Sequence, residues 1–250
     1  MQILRATAQN QTFYAQLDGS KIRRIDGLPY SDITFTGDTY NLADVDILTP
    51  CEPSKIVAVG RNYSAHASEL GNEMPESPML FLKPSSSALA NGGSIVYPAM
   101  SERVDYEAEL GVVIGSTCSN VSEANAADHI FGYTPLNDVS ARDLQKKDKQ
   151  WGRAKGFDTF CPFGPYIYTD FDPTGKSVQS LLNNQLRQGG NTADMHFSVF
   201  TLVAFISKVM TLLPGDIIAT GTPAGIGPMS KGDTIEIRIE GMEPLINTII

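Results

Sequence analysis

Apolar and polar residues alternate along much of this chain in short runs bounded by Gly, Pro, Asn and Asp, the pattern of strands with one face buried. QILRATA, TFYAQLDG and KIRRIDG, with turn signals at Asp18-Gly19 and Asp26-Gly27, predict a small β region over residues 1–50. From Lys55 the character changes. KIVAVG reads as an apolar strand, and RNYSAHASELG as a helix that Gly71 is placed to stop. PMLFLKP, SIVYP, VDYEAELGVV, CPFGPYIYTD, GDIIATG and GDTIEIRIEG predict further strands; ARDLQKKDKQ and FSVFTLVAFISKVMTLL predict helices, the second ending at Pro214-Gly215. SVQSLLNNQLRQGGN fits two elements: its apolar spacing allows a helix, while Asn183-Asn184 suits the turn of a hairpin. Many short strands with few helices predict a β-rich α+β fold, with a small N-terminal β appendage at 1–50 and a larger domain at 51–250.

With 250 residues and 42% hydrophobic content, the chain can bury a substantial core. A net charge of −9 offers no footprint for nucleic acid or an anionic membrane surface. No apolar run approaches the ~20 residues that span a bilayer, and the first residues lack the blocks of a signal peptide, so a cytoplasmic protein is expected. Three widely spaced cysteines, Cys51, Cys118 and Cys161, form no CxxC pair and argue against a disulfide framework or a zinc site.

The candidate chemistry begins at VDYEAELGVV, where Asp105, Glu107 and Glu109 occupy alternate positions and so share one strand face. Such a face is either solvated or a site for a hard divalent cation. His66 stands three residues before Glu69, on one helical face, the spacing of an oriented general base or of a surface pair. Asp138 precedes an amphipathic helix, where it either caps that helix or points into a cleft; Arg142 and Gln145 follow three apart. Lys155 lies in the Gly-flanked, aromatic-rich WGRAKGF, and Thr222 in GTPAGIGP, whose backbone amides suit an anionic group or a tight connection. DPTGKS ends like a phosphate-binding loop, but Asp170 stands where its first glycine is required.

Taken in order, GRNYSAH, MLFLKP, VDYEAELGVVIG, FGYTPLNDVSARDLQ, WGRAKGFDTFCPFGP and LLPGDIIATGTPAGIG resemble the fumarylacetoacetate hydrolase family from about Lys55 to the C-terminus. The resemblance implies a mixed, β-rich roll with the active site under one end of the sheet, commonly a homodimer. It implies Glu107, Glu109 and Asp138 as ligands of Mg²⁺ or Mn²⁺, and His66 with Glu69 as a catalytic pair. Lys155 matches the family's active-site lysine, and Arg142, Gln145 and Thr222 match substrate contacts. Asp105 matches no ligand, and the ambiguous segment becomes a strand-turn-strand unit. The implied activity is metal-dependent hydrolysis of a C–C bond in a 2,4-dioxo acid of the acylpyruvate or fumarylpyruvate type, a step of aromatic catabolism. Oxaloacetate decarboxylation and 2-hydroxy-dienoate isomerisation are alternatives on the same site. A noncatalytic 2-oxo-acid-binding protein is the reading from a different class.

Overall fold

Alternating side chains at the start of the chain produce a meander: Gln2–Ala8, Gln11–Asp18, Lys21–Ile25 and Phe35–Asn41 pair antiparallel in succession. The computed structural model describes residues 1–69 and 71–250. Among these, the meander does not stand apart. Gln2 pairs with Tyr168 and Ile3 with Ile167, so the large sheet continues through Ile167–Tyr168, Ile130–Asn137, Ala108–Ile114, Ile217–Ala219, Ile56–Gly60 and Met79–Lys83. Ile3, Tyr14 and Ile25 pack in one cluster with Cys51, Ile56, Val113 and Ile217, so apolar burial as well as hydrogen bonding joins residues 1–50 to the rest.

A second sheet has the order Gln185–Asn191, Ser177–Leu182, Thr234–Ile239, Leu245–Ile249 and Ser94–Ile95. Its first two strands settle the ambiguous segment as a hairpin. Asn183 and Asn184 both take positive φ (51° and 63°), the backbone of a two-residue turn whose twist matches its strands. The main core fills the space between the sheets with residues such as Val57, Leu110, Val112, Val178 and Ile237. The helix Val199–Val209 buries Leu202, Val203 and Ile206 against it and is capped by Ser198, which accepts from the Thr201 N–H at 3.1 Å. That helix is shorter than its apolar run predicts, ending before Met210. No helix among the described residues is long and apolar enough to cross a membrane.

One feature of the topology creates the site. Val104–Tyr106 belongs to a small sheet with Ser140–Ala141 and Gly227–Met229, whereas Ala108–Ile114 belongs to the large one. The chain therefore changes sheets at Glu107. The neighbouring strand does the same between Asn137 and Ser140, passing through Asp138. The two crossings are tied together: the Asp138 N–H donates to the Glu107 carbonyl at 2.9 Å, and the Glu107 N–H donates to Asn137 Oδ1 at 2.9 Å.

Candidate active site

Glu107, Glu109 and Asp138 are all buried, and one carboxylate oxygen from each lies within 4.8 Å of the others. Alternation along the strand brings Glu107 and Glu109 to the same side, and the coupled crossings bring Asp138 beside them. The helix-capping role open to Asp138 is not the one it takes. The capping position of Arg142–Asp148 is Ala141, which makes no side-chain cap.

Charge compensation comes from three other segments. Lys155 Nζ donates to Glu107 Oε2 at 2.7 Å and to Asp138 Oδ2 at 2.6 Å, bridging the two acids. Lys83 Nζ donates to Asp138 Oδ1 at 2.5 Å and to the Val139 carbonyl at 3.2 Å. Arg142 donates to Glu107 Oε1, to Asp105 Oδ2 at 2.9 Å and to Gln145 Oε1 at 2.7 Å. Asp105, left unassigned by the sequence, is thus the residue that orients Arg142; it also accepts from Arg103 Nε at 2.8 Å.

These contacts divide the acids. Burial opposes ionisation of Glu107, but Lys155 and Arg142 outweigh it and hold that carboxyl well below the usual range. Glu109 accepts the Gly221 N–H at 2.8 Å and has no ion-pair partner among the described residues. Burial, with Asp138 and Glu107 close by, pushes its carboxyl well above the usual range. Three ionised carboxylates are therefore tenable here only with added positive charge. The donor set suits a divalent cation that prefers oxygen, since it contains no thiolate and no imidazole.

A cavity of about 260 Å³ opens over the carboxylates. Of the expected site residues, His66, Glu107, Glu109, Asp138, Arg142, Gln145, Lys155 and Thr222 line it, and Glu69 does not. His66 lies on the helix Ser64–Glu69 with its ring buried, and burial lowers its pKa below 6.5 although Glu107 pulls the other way. Its Nδ1 makes no hydrogen bond among the described residues and stands 3.5 Å from Glu69 Oε2. Glu69 instead accepts the Gly225 N–H at 3.2 Å on both oxygens. Gly225 has φ of +100°, and a Cβ there would meet the Arg187 carbonyl oxygen at 2.4 Å.

Thr222 borders the cavity, yet its hydroxyl is engaged by the protein: it donates to the Ala108 carbonyl and accepts from Gln188 Nε2, each at 2.8 Å. Burial pushes the Cys161 thiol up to about 12, which removes it as a nucleophile.

Five further residues matter that residue-level reading did not single out. Lys83 closes the apolar strand MLFLKP and is buried, which a lysine almost never is unless it is paired, so its sequence position alone favoured the surface. Arg61, Phe81 and Trp151 line the cavity and lay inside or beside the quoted blocks. Gln188 had no local signal at all.

Comparison with known proteins places these residues in a family context. The model of the fumarylacetoacetate (FAA) hydrolase C-terminal domain matches residues 55–250, and the Rv2993c-like N-terminal model matches residues 1–50. The chain is 44% identical to the mitochondrial oxaloacetate decarboxylase of Dictyostelium discoideum, covering 76% of this chain and 90% of that protein. It is 42% identical to the oxaloacetate tautomerase YisK of Bacillus subtilis, over 84% and 75% of the two chains. A crystal structure of 2-hydroxyhepta-2,4-diene-1,7-dioate isomerase from Mycobacterium marinum superposes with a TM-score of 0.94 at 43% identity, covering 100% of this chain and 98% of that one.

Proposed function

This chain belongs to the fumarylacetoacetate hydrolase family, and from that premise we propose that it is a divalent-metal-dependent enzyme acting on 2-oxo acids through an enolate. The observation that carries this reading is a single cleft in which three buried carboxylates, a buried lysine and a buried histidine meet. Mg²⁺ or Mn²⁺ fits the all-carboxylate donor set best. When bound, the cation would supply Lewis-acid polarisation of the substrate's keto oxygen and an anchor for its carboxylate.

The chain's own residues supply the rest. His66 is kept neutral by burial, so its imidazole is competent to accept a proton at neutral pH. Lys155 stays charged because Asp138 and Glu107 outweigh the burial that opposes it, and it places positive charge where enolate charge develops. Val59, Phe81 and Trp151 give the cleft an apolar wall.

The similar proteins named for oxaloacetate tautomerisation, oxaloacetate decarboxylation and dienoate isomerisation all perform reactions that an enolate or dienolate serves. Tautomerisation or decarboxylation of an oxaloacetate-type acid is accordingly our first reading. Hydrolysis of an acylpyruvate is the second, and the proximity of His66 to Glu69 favours it. A small side-chain rotation of Glu69 would close the 3.5 Å gap and orient the imidazole toward water.

Metal-stripped protein assayed on oxaloacetate, acylpyruvates and 2-hydroxy-dienoates, with and without Mg²⁺ or Mn²⁺, decides the matter. Metal-restored turnover of at least one member is expected. Full activity in the presence of chelator, or none on any member, would refute the proposal.

A further inference from the structure

The cations of the cleft differ in what they already hold. Lys155 and Lys83 are bound to Glu107 and Asp138, and Arg142 to Asp105, Glu107 and Gln145. Arg61 and Lys146 also line the cavity, and neither has a carboxylate partner among the described residues. Lys146 is exposed on the surface of its helix, whereas Arg61 is half-buried.

Arg61 is also mounted in an unusual way. It has φ of +57°, a left-handed conformation that side chains other than Gly, Asn and Asp adopt rarely. Such a conformation persists where neighbouring structure enforces it, and such residues cluster at ligand sites. Here the enforcement comes from Asn62, which is fully buried. Asn62 Nδ2 donates to the Thr220 carbonyl at 2.7 Å and to the Phe197 carbonyl at 3.0 Å, and its Oδ1 accepts the Phe197 N–H at 2.8 Å. Gly221 leaves the room: a Cβ there would meet Asn62 Cβ at 2.7 Å. On the other side, Gly60 packs so closely on Trp151 that a Cβ would meet its Cζ3 at 2.7 Å. The backbone of the arginine is thus held at the wall of the cavity that Trp151 and Phe81 also line.

We propose that Arg61 receives a second carboxylate at the far end of the substrate, so that the cleft selects 2-oxo diacids over 2-oxo acids with an apolar tail. The inference rests on the reading of the cleft as a 2-oxo acid site. An unpaired guanidinium in a partly desolvated cleft binds carboxylate through charge-assisted, two-pronged hydrogen bonds. The carboxylate triad with its cation takes the 2-oxo end, Val59, Phe81 and Trp151 flank the middle, and Arg61 takes the tail.

Binding tests this without requiring turnover. 2-Oxoglutarate and 2-oxopentanoate have the same chain length and differ only in the distal carboxylate. Calorimetry on the Mn²⁺-loaded wild-type protein should show the diacid binding roughly tenfold tighter, the scale of one charge-assisted hydrogen bond. Arg61→Asn, which tolerates the left-handed backbone, should erase that gap by weakening the diacid alone. Arg61→Lys should restore part of it, and Mn²⁺ affinity and thermal melting should match wild type in both. No gap in the wild type, or a gap that survives Arg61→Asn, would overturn the inference. A gap governed by Arg61 together with no turnover on the substrate panel would instead overturn the proposed function and leave this inference standing.

Discussion

Gln188 accepts the backbone N–H of Ala108 at 2.9 Å, and Ala108 is the residue between Glu107 and Glu109. The same side chain donates to Thr222 Oγ1 and to the Pro223 carbonyl, each at 2.8 Å, while Thr222 donates to the Ala108 carbonyl. The one residue between two candidate ligands is therefore gripped on both its backbone donor and its backbone acceptor. Replacing Gln188 with Leu would leave that buried N–H unpaired, at a cost of about 1–3 kcal/mol. The melting temperature should fall by several degrees and Mn²⁺ affinity by about tenfold, the cost of loosening groups that hold ligands in place. Unchanged Mn²⁺ affinity by calorimetry would show that Gln188 serves stability alone.

Lys155→Met removes the ammonium shared by Glu107 and Asp138 and leaves two buried acids short of positive charge. Breaking a buried pair in this way costs about 3–5 kcal/mol. The metal-free variant should melt well below wild type, and Mn²⁺ should raise its melting temperature more than it raises that of wild type. Calorimetric scans with and without Mn²⁺ measure both effects; an equal Mn²⁺ increment would count against the shared-charge account.

His66→Ala should lower kcat by about 10²–10⁴ if the imidazole transfers the proton. Mn²⁺ affinity should change by no more than a few-fold, because His66 is not among the three clustered acids. A variant that kept full activity would remove His66 from the mechanism.

Burial lowers the His66 pKa below 6.5, and the sign of the pH effect follows. The unfolded chain takes up the proton more readily than the folded one. Stability from neutral His66 is therefore present above about 6.5 and is lost as pH falls through that value toward the lower folded pKa. kcat/KM should likewise decline on the acid side with an apparent pKa below 6.5, and a bound divalent cation would move it further down. A kcat/KM profile with its acid limb above 6.5 would contradict this assignment.

Trp151, the one tryptophan of the chain, lines the cavity and reports on it. Gly60→Ala would push a methyl group against Trp151 Cζ3 and Met79 Cε, at 2.7 and 2.8 Å. Overpacking of this kind costs about 1–3 kcal/mol. Trp emission should shift and KM should rise, with Mn²⁺ affinity unchanged; an unaltered emission spectrum would mean that the indole does not occupy this wall.

Much of the architecture could be read from local pattern. The period-two runs became strands, Ser198 began a helix, and Gly71, with φ of +68°, stands just after the helix Ser64–Glu69. The segment 177–191 could not be resolved from its own periodicity, because Leu181, Leu182 and Leu186 satisfy helical spacing as well as strand pairing. Pairing of Ser177–Leu182 with Thr234–Ile239 decided it, and that partner lies more than fifty residues away in the chain. Asp105 shows the same limit. Alternation grouped it with Glu107 and Glu109, but the change of sheets at Glu107 turns it toward Arg103 and Arg142.

What the sequence determined by itself was the set of strands, the acidic pattern and the ordered blocks that mark the family, all properties of neighbouring residues. What only the tertiary structure decided was which charges face one another. Lys83, Arg142 and Lys155 arrive from three separate segments to hold Glu107 and Asp138, while Glu109 has no cationic partner among the described residues. Coulomb energy depends on distance through space and on the exclusion of water. Neither exists until the sheets have packed.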